Sequence, residues 1–389
     1  MLTGRNFNYF MPTKIFFGSG KVKQIVQECN ITKQDKILIV ADPYLVEKGF
    51  TKAVTDILKK EDIDYEIFSD FEPNPSVDSV EAGVKLAKNM KCNFIITIGG
   101  GSSMDTAKGI ALRAVNEGHI LDYSRIGNRT VKNCPLPIIA IPTTAGTGSE
   151  VTPFAVLTDT KNSRKIAVAH PLLFPKIAVV DPELTISMPS KLTAETGMDA
   201  LTHAIEAYVT INAQPIADSL AIGAIKIIGQ NIYKAVANGD NIEARSNMIL
   251  ASTMAGIAFS AVGLGLVHST AHALGGVMHL SHGLSNALML PYVMEYNLIS
   301  KPEKFRDIAE ALGENTQGLS LFDAAKKAVI AVKNLNALLG IPEHLRELGV
   351  KKDNIEELAQ KAVNDVGTFP RNPRKSCLKD VIELFEKAL

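Results

Sequence analysis

The sequence predicts an α/β domain over residues 1–183, followed by an all-α domain over residues 184–389. In the first half, short runs rich in β-branched residues alternate with segments of helical apolar spacing, which is typical of a parallel sheet with crossover helices. After about Leu184 the strand signal ends and long helical patterns follow. Residues 246–294 contain no Asp, Glu, Lys or Arg, although charged residues make up 21% of the chain. Helices that are apolar on all sides indicate the interior of a large domain.

The predicted strands are short, apolar and bounded by Pro, Gly or Asp. They cover residues 37–41, 65–68, 94–98, 138–141 and 177–180. Helical spacing predicts helices over residues 76–90 and 102–115 between these strands. Six further helices are predicted in the second half, over residues 193–209, 216–237, 242–261, 284–299, 302–312 and 321–339. This order favours a nucleotide-binding sheet followed by an all-helical domain.

Charge and hydropathy limit the partners of the chain. The 41 Lys and Arg residues balance 41 Asp and Glu residues, so the chain lacks the cationic excess that nucleic acid or an anionic membrane requires. Residues 248–266 approach the ~20 apolar residues that span a bilayer. However, Ser252, Thr253 and Ser260 interrupt this segment, and no Lys/Arg cluster flanks it. We therefore expect neither a nucleic-acid partner nor a membrane partner.

Cysteine usage and the N-terminal residues bear on localisation. The sequence contains four cysteines: Cys29, Cys92, Cys134 and Cys377. They lie far apart and form no Cys-x-x-Cys motif, which fits a reducing compartment rather than a disulfide framework. The first 20 residues contain no continuous apolar core of signal-peptide length. We therefore expect a cytoplasmic protein.

Two loops rich in glycine and hydroxyl side chains follow predicted strands. The first, residues 98–105, contains three consecutive glycines, which let the backbone approach a phosphate that the helix N-terminus attracts. Ser102 and Asp105 also have capping-box spacing, so a simple capped helix start is the alternative. The second loop, residues 143–150, offers further amides and hydroxyls. Two such loops at the ends of neighbouring strands suit a dinucleotide that lies across the sheet edge.

Asp42 follows the predicted strand 37–41. A carboxylate at this position can accept a ribose hydroxyl and repel a 2′-phosphate, which favours NAD(H) over NADP(H). Asp42 precedes the glycine loop, the reverse of the usual order, so the sequence argues against a standard Rossmann topology.

A metal site is indicated by one carboxylate and several imidazoles. Asp199 and His203 are spaced i, i+4 in an apolar helical run, which places them on one helix face. A buried pair of this kind is costly without a metal. Four histidines follow in the charge-free segment, namely His268, His272, His279 and His282. Spacing leaves two assignments open, because His268 pairs with His272 at i, i+4 and His279 pairs with His282 at i, i+3. Fe, Zn, Mn and Co all accept such ligands.

With these residues identified, the chain resembles the iron-containing, group III alcohol dehydrogenases over almost its whole length. The resemblance is to the branch that includes lactaldehyde reductase, 1,3-propanediol dehydrogenase and NAD-dependent methanol dehydrogenase. It is carried by five stretches, residues 73–75, 99–105, 143–147, 196–206 and 265–283. The fold that it implies is an N-terminal dinucleotide-binding domain and an all-α C-terminal metal-binding domain, the dehydroquinate synthase-like or iron alcohol dehydrogenase fold, with an active site between the two.

The resemblance also implies residue roles. The iron ligands correspond to Asp199, His203, His268 and His282, which selects between the two assignments. His272 corresponds to a catalytic histidine that relays the alcohol proton, whereas His279 matches nothing in the family pattern. The implied cofactor contacts are Asp42, Asn74, Gly100, Gly101, Ser102, Asp105, Thr143, Thr144, Thr147, Lys165 and Leu184. The sequence departs from the family pattern at three positions: Ser103 replaces a frequent Pro after the glycine loop, Glu195 replaces a frequent Ala, and Ser281 replaces the usual Pro before the last ligand.

The sequence as a whole predicts an NAD(H)-linked, Fe2+-dependent alcohol dehydrogenase. It would interconvert small primary alcohols or diols and aldehydes by hydride transfer, with the metal polarising the substrate oxygen. We expect Phe154, Phe259 and Val262 to shape the substrate pocket, and the family default is a homodimer or a larger homo-oligomer. One alternative is a Zn2+-dependent enzyme that resembles glycerol dehydrogenase, and the other is a catalytically silent NAD-binding scaffold.

Overall fold

The computed structural model describes residues 6–125, 127–162 and 164–389. The chain forms two compact units. One consists of Met11–Thr144 and Gly148–Ser187, and the other consists mainly of Met188–Leu389 together with Ala145–Thr147. The first unit has α/β architecture and the second is helical. The predicted fold class is therefore confirmed.

The strands of the described residues all lie in the α/β unit. They are β1 (Lys14–Phe17), β2 (Lys36–Ala41), β3 (Asp64–Phe68), β4 (Phe94–Gly99), β5 (Ile138–Pro142), β6 (Phe154–Asp159), β7 (Arg164–Ala169) and β8 (Ile177–Val180). Six of them form a parallel sheet in the order β1-β8-β5-β4-β2-β3, whereas β6 and β7 form a separate antiparallel pair. The five predicted strands are confirmed as β2, β3, β4, β5 and β8.

The prediction omits β1 and the β6–β7 hairpin. β1 is a four-residue edge strand whose first and last residues are exposed, so it lacks the continuous apolar run of a central strand. In β6, buried and half-buried residues alternate. The first four residues of β6, Phe154–Leu157, are all apolar, so the sequence contains a strand signal here that the prediction missed.

Helices cover both faces of the parallel sheet. They are α1 (Ile25–Glu28), α2 (Pro43–Glu47), α3 (Lys52–Lys60), α4 (Val77–Asn89) and α5 (Gly101–Val115). Alternate residues of β2 point to opposite faces: Leu38 packs in the apolar cluster with Ile110 of α5, and Ile39 packs in the cluster with Leu58 of α3. Burial on both faces explains the continuous apolar strands.

The strand order places a topological switch point between β2 and β4. The chain passes from β2 to β3 on one side of β2 and then returns to form β4 on the other side. In open parallel sheets, ligands bind outside the carboxyl ends of the strands at such a point. Asp42 follows β2, and Gly100 follows β4. This order differs from the standard Rossmann order, as the position of Asp42 predicts.

The second unit contains the remaining helices. They are α6 (Ser190–Val209), α7 (Pro215–Ala237), α8 (Ile242–Val262), α9 (Leu266–Met278), α10 (His282–Asn297), α11 (Pro302–Ala311), α12 (Leu321–Leu338), α13 (Ile355–Val363) and α14 (Leu378–Ala388). The six predicted helices are confirmed, with ends shifted by at most three residues. The prediction omits α9, in which Gly275 and Gly276 lower the helical propensity. It also omits α13 and α14, although their apolar spacing is regular.

The charge-free segment 246–294 forms most of α8, then α9 and most of α10. Across residues 6–125, 127–162 and 164–389, no single helix is long and apolar enough to cross a membrane. Helices α8 and α9 satisfy the length and composition criteria only when taken together, and they are bent by 102° at their junction.

Candidate metal centre and nucleotide edge

Asp199 and His203 lie one turn apart in the middle of α6, and both side chains are buried. Asp199 Oδ2 is 3.9 Å from His203 Nδ1, as the i, i+4 spacing predicts. His203 Nδ1 also lies 3.2 Å from the carbonyl oxygen of Gly146. Metal-binding imidazoles commonly engage a carbonyl or carboxylate through their other ring nitrogen, so this contact is compatible with ligation.

His268 and His282 enter the same cluster from two other helices. His268 is the third residue of α9, and His282 is the first residue of α10. The ring of His268 stacks on that of His203 with centroids 4.6 Å apart, and its centroid lies 5.3 Å from that of His282. One ligand atom from each of these residues and from Asp199 lies within 4.8 Å of the others. Asp199, His203, His268 and His282 thus form one cluster, which we call the metal centre.

The two other histidines of the charge-free segment, His272 and His279, have different surroundings. His272 stacks on His282 with ring centroids 5.6 Å apart, and its Nδ1 is 2.7 Å from Asp365 Oδ2. His279 is exposed and ends α9 in the left-handed conformation, with φ of 56°. Histidine is among the residues that tolerate this conformation better than most. The geometry thus gives His279 a place at a helix end and His272 a place beside the metal centre.

Asn286 provides a direct indication that a cation fits the metal centre. Its Nδ2 lies 2.7 Å from Asp199 Oδ1, 3.2 Å from His268 Nε2 and 3.1 Å from His282 Nε2. An amide nitrogen carries two protons, so it cannot satisfy three acceptors at once. The Asn286 Oδ1 atom is buried without a hydrogen-bond partner. Three converging lone pairs from a carboxylate and two imidazoles are a donor set suited to a divalent transition metal.

Glu206 orients His268. Its carboxylate accepts hydrogen bonds from the backbone amides of Gly265 (3.0 Å) and Val267 (2.7 Å), and its Oε2 lies 2.7 Å from His268 Nδ1. Burial raises the pKa of Glu206 to about 7, against the lowering effect of these hydrogen bonds. Burial, together with His203 and His282, lowers the pKa of His268. A neutral His268 with its Nδ1 proton directed at Glu206 keeps the Nε2 lone pair for a metal.

Asp199 supplies the negative charge of the metal centre. Burial acts to raise the pKa of Asp199, but the neighbouring imidazoles and the hydrogen bond from Asn286 bring it below its ordinary value. Asp199 is therefore ionised at neutral pH. A buried carboxylate of this kind is stable only with compensating charge or hydrogen bonds, and a bound cation provides that charge.

The second group of predicted site residues lies at the carboxyl ends of β2, β4 and β5. We call this the nucleotide edge; it comprises Asp42, Gly99–Gly101 and Thr143–Thr144. The Gly99 carbonyl accepts a hydrogen bond from the Thr143 amide over 3.0 Å, which joins the two loops. Gly99 has φ of 149°, and a Cβ there would lie 2.2 Å from Ser103 Oγ. Glycine is thus required at the point where strand turns into helix.

The alternative interpretation of this loop, a capping box between Ser102 and Asp105, is not borne out. Helix α5 begins at Gly101 with Gly100 as its N-cap, and no side chain caps it. The Ser102 hydroxyl instead donates to the Pro73 carbonyl oxygen. An N-terminus without a side-chain cap retains backbone amides and a positive dipole end, which are the features that bind a phosphate.

Asp105 is turned toward the protein interior. It accepts hydrogen bonds from the Val156 amide (3.0 Å) and the Ser149 hydroxyl (3.1 Å). Burial raises its pKa, against the opposing charge of Lys108. Lys108 is fully buried and donates to the carbonyl oxygens of Ser149 (2.8 Å) and Phe154 (2.9 Å), and burial lowers its pKa to about 8. Both residues therefore fix the end of the second loop, and a cofactor contact of Asp105 stays a prediction.

Other predicted cofactor residues have local partners. The Asp42 carboxylate caps α2 by accepting from the Tyr44 amide over 2.8 Å. Lys165 Nζ donates to Asn74 Oδ1 over 2.6 Å, and burial lowers the pKa of Lys165. Leu184 packs against the apolar cluster on one face of the sheet. Thr147 belongs to the helical unit by its contacts.

The predicted pocket residues fall in both units. Phe259 lies on α8, and its ring stacks on His203 with centroids 4.5 Å apart. Val262 is the last residue of α8 and is buried. Phe154 begins β6 in the α/β unit, where its carbonyl accepts from Lys108. Of the three, Phe259 is in ring contact with a residue of the metal centre.

Several residues of the site were not predicted from the sequence. Asn286 follows His282 at i+4, and Glu206 follows His203 at i+3, so helical spacing provided a signal for both. Asp365 and Lys108 had no such signal. Asp365 is 93 positions from His272 in the sequence, and Lys108 is one of many lysines in amphipathic helices.

The described residues combine a parallel sheet that has a glycine turn at its switch point with a helical unit that carries a cluster of metal-ligand side chains. These features define the class of nucleotide-binding proteins with a metal centre. Comparison with known proteins narrows the class. Residues 12–182 match the family described as iron-containing alcohol dehydrogenase, and residues 193–389 match the C-terminal part of the Fe-containing alcohol dehydrogenase family.

Relatives match over nearly the whole chain. The 1,3-propanediol dehydrogenase of Citrobacter freundii is 44% identical over 386 residues, which are 99% of this chain and 99% of that protein. The NAD-dependent methanol dehydrogenase of Bacillus methanolicus is 44% identical over 382 residues, 98% of this chain and 100% of that protein. The crystal structure of a 1,3-propanediol oxidoreductase has a TM-score of 0.95 and 42% identity, and covers 99% of this chain and 100% of that chain.

The chain belongs to the iron-containing alcohol dehydrogenase family. The resemblance stated from sequence motifs is therefore confirmed. The predicted class of enzyme, a metal-dependent alcohol dehydrogenase, is confirmed with it.

Proposed function

We propose that this enzyme interconverts small primary alcohols or diols and the corresponding aldehydes, with Fe2+ at the metal centre and NAD(H) as the hydride carrier. The observation that carries this proposal is the convergence of Asp199, His203, His268 and His282, whose ligand atoms lie within 4.8 Å of one another. The donor set fits iron and also zinc, so the metal identity is decided by measurement. When bound, Fe2+ supplies Lewis acidity toward a substrate oxygen, and NAD(H) accepts or supplies a hydride.

The protein supplies negative charge and an apolar surrounding to the metal centre. Asp199 provides one negative charge, and Glu206 keeps the Nδ1 proton of His268 directed away from Asn286 and the ligand cluster. The charge-free segment 246–294 surrounds two of the histidines with apolar helices. Three of the four ligand side chains are at most 5% exposed, and a low-dielectric surrounding of this kind strengthens the polarisation of a substrate carbonyl.

We propose His272 as the residue that relays the alcohol proton. Asp365 Oδ2 lies 2.7 Å from His272 Nδ1, so the carboxylate fixes the proton on Nδ1 and leaves Nε2 as the exchanging nitrogen. Burial acts to raise the pKa of Asp365, but the hydrogen bond and the charge of His272 bring it well below its ordinary value. Asp365 therefore remains ionised at neutral pH and holds the Nδ1 proton of His272.

The nucleotide edge supports the choice of a dinucleotide. Gly100 and Gly101 begin α5 without a side-chain cap, and a phosphate is proposed to bind the amides there. Asp42 at the end of β2 is proposed to accept a ribose hydroxyl, which supports NAD(H) over NADP(H). The remaining proposed cofactor contacts are Asn74, Ser102, Asp105, Thr143, Thr144, Thr147, Lys165 and Leu184.

A small substrate is supported by Phe259, whose ring covers His203 at a centroid distance of 4.5 Å. The names of the relatives, which refer to 1,3-propanediol and methanol, point to the same size class. Phe154 and Val262 are proposed as further pocket residues. A panel of aldehydes from formaldehyde to butanal, with lactaldehyde and 3-hydroxypropanal, ranks the substrates by kcat/KM in the reductive direction.

His268→Ala tests the proposal. Iron-loaded wild-type protein is expected to bind about one metal ion per chain and to oxidise NADH with an aldehyde, whereas the variant loses both properties. His279→Asn is the matched control, because His279 is exposed at the end of the same helix and Asn tolerates its left-handed backbone. Metal content by atomic absorption and NADH oxidation are measured on the same samples. Retention of iron and activity in His268→Ala contradicts the proposal.

We also propose that the enzyme is cytoplasmic and forms a homodimer or a larger homo-oligomer. The four cysteines are present as free thiols, which supports a reducing compartment. Light scattering on purified protein measures the oligomeric state, and cell fractionation measures the localisation. A monomer, or a protein recovered outside the cytoplasmic fraction, contradicts the corresponding proposal.

A further inference from the structure

A side-chain hydrogen bond ties the start of α10 to α6, outside the metal centre. The Ser281 hydroxyl donates to Glu195 Oε2 over 2.7 Å. Glu195 lies one turn before Asp199 on α6, and Ser281 directly precedes His282. Glu195 is only 8% exposed. A hydrogen bond to a carboxylate in a mostly buried position is stronger than one between neutral groups in water.

The Ser281 hydroxyl does not cap its own helix. Ser281 is the N-cap of α10, where a serine side chain commonly accepts a hydrogen bond from an amide of the first turn. Here no such cap is formed, and the hydroxyl donates across to the other helix instead. The local turn is closed by Ser285, whose amide (3.0 Å) and hydroxyl (2.9 Å) both donate to the Ser281 carbonyl oxygen.

The backbones of the two helices also meet at this point. A Cβ at Gly283 would lie 2.5 Å from the Glu195 carbonyl oxygen and 2.9 Å from its carbonyl carbon. These distances are too short for any residue other than glycine unless the helices separate. The first turn of α10 therefore lies directly on α6 at Glu195, and Gly283 is the residue that permits this approach.

His282 is the member of the metal centre that depends most on such a tie. Asp199 and His203 lie in the middle of α6, and His268 lies within the first turn of α9, whereas His282 is the first residue of its helix. Its side chain is 41% exposed, and those of the other three are at most 5% exposed. Helix ends fray more readily than helix interiors. The position of His282 is therefore set by what fixes the end of α10.

We propose that Glu195 and Ser281 form a positioning pair that holds His282 in place for metal binding. The pair joins the helix that carries Asp199 and His203 to the residue before His282. Neither residue contacts the metal; both act through the placement of α10. This inference rests on the proposed metal site and adds to it a determinant of metal affinity that lies outside the four ligands.

Metal affinity of purified, metal-free protein tests the pair, by competition of Fe2+ and Zn2+ with a chromophoric chelator. Ser281→Ala and Glu195→Ala are each expected to weaken the affinity by roughly 10- to 100-fold, the range found when partners of metal ligands are removed. The double variant is expected to be no weaker than either single variant, because both remove the same hydrogen bond. Ser281→Thr keeps the hydroxyl and is expected to restore the affinity.

Ser285→Ala is the matched control. It removes a hydroxyl of the same size from the same turn, but one that donates to the Ser281 carbonyl oxygen, to which the Ser285 amide also donates, and makes no bond to α6. Glu195→Gln keeps a hydrogen-bond acceptor, so its metal affinity is expected to lie closer to that of wild type than the affinity of Glu195→Ala does. This variant keeps the test available if one alanine variant does not fold. Thermal unfolding of the metal-free proteins reports folding independently of metal.

Three outcomes overturn the proposal. The first is a Ser281→Ala protein that binds metal as tightly as Ser285→Ala. The second is a double variant whose loss of metal affinity equals the combined losses of the two single variants. The third is a Ser281→Thr protein that is as weak as Ser281→Ala. Failure of the wild type itself to bind either metal overturns the proposed function as well, so the two failures are distinguishable.

Discussion

The nucleotide edge and the metal centre are built in opposite ways. The nucleotide edge consists largely of backbone: neighbouring strands are in register, with Ala41 opposite Ile98 and Gly99 opposite Pro142, so short loops meet where these strands end. The metal centre consists of side chains from α6, α9 and α10. The difference implies that substitutions which add a side chain disrupt the nucleotide edge, whereas substitutions which remove a ligand atom disrupt the metal centre. Single substitutions at the two sites can test this contrast.

Asp199→Asn is expected to have the largest effect. It keeps the shape of the side chain but removes the one carboxylate among the four ligands. We expect loss of metal and a fall in kcat/KM for aldehyde reduction of more than about 10³-fold, since removing a single preorganised electrostatic contact already costs about 10²- to 10³-fold. Asp323→Asn, at an exposed helix start, is the control. A variant that retains both metal and activity would show that Asp199 is not a metal ligand.

Gly99→Ala tests sensitivity to one added atom at the nucleotide edge. The new Cβ would lie 2.2 Å from Ser103 Oγ in a backbone conformation that L residues rarely adopt. We expect a loss of about 1–3 kcal/mol in the free energy of unfolding and weaker NADH binding, with metal content unchanged. Gly276→Ala is the control, because nothing lies within 4 Å of a Cβ there. Denaturant unfolding and NADH fluorescence titration measure the two effects. Equal NADH affinity in both variants would contradict the expectation.

Asp365→Asn tests the partner of His272. We expect kcat to fall about 10- to 100-fold and the pH profile of kcat to shift, while metal content is retained, because general acid–base steps contribute about 10²- to 10⁴-fold. The folded-state pKa of Asp365 lies below its ordinary value of 3.8. Its ionised form therefore stabilises the fold above about pH 4, and that stability is lost as the pH falls through the folded-state pKa.

The melting temperatures of wild type and Asp365→Asn should accordingly differ at neutral pH and converge on acidification. Both are measured by calorimetry between neutral pH and the lowest pH at which the protein remains soluble. A difference that grows toward low pH would show that Asp365 does not have a lowered pKa. An unchanged pH profile of kcat would show that Asp365 does not act through His272.

Asp42→Asn is expected to have the smallest effect. The variant keeps an oxygen that can accept from the Tyr44 amide, so the start of α2 is preserved and only the charge is removed. We expect the preference for NADH over NADPH to fall about tenfold, which corresponds to about 1.4 kcal/mol. Asp64→Asn, at the first residue of β3 and so at the opposite end of the sheet, is the control. The ratio of kcat/KM values for the two cofactors measures the effect, and an unchanged ratio would contradict the role of Asp42.

The same contrast explains what the sequence can predict. The central strands are buried on both faces, so β2, β4, β5 and β8 are almost entirely apolar, with Lys36 at the start of β2 and Thr97 within β4 as the exceptions. Asp199 and His203 share a helix face at i, i+4, which is a local signal. The choice among the four later histidines required the family resemblance, because spacing alone permits two assignments.

Contacts between distant residues have no local signal. Ser281 stands where the family resemblance implies a proline in the turn before His282. The structure instead provides Glu195 as its partner, 86 positions away in the sequence. The hydrogen bonds that Asp105 accepts are a second example, since its partners Ser149 and Val156 lie 44 and 51 positions away. Such pairs are fixed by helix and loop packing, which the spacing of residues along one element does not specify.

Anomalous X-ray diffraction at the iron edge, on crystals of the iron-loaded protein, locates the metal relative to the four proposed ligands. We predict one anomalous peak per chain, at roughly 2.0–2.2 Å from one oxygen of Asp199 and one nitrogen each of His203, His268 and His282, with Asn286 Nδ2 displaced from its contacts with His268 and His282. A protein that binds iron but gives its peak elsewhere, or a peak that lacks any of these four ligands, would contradict this prediction.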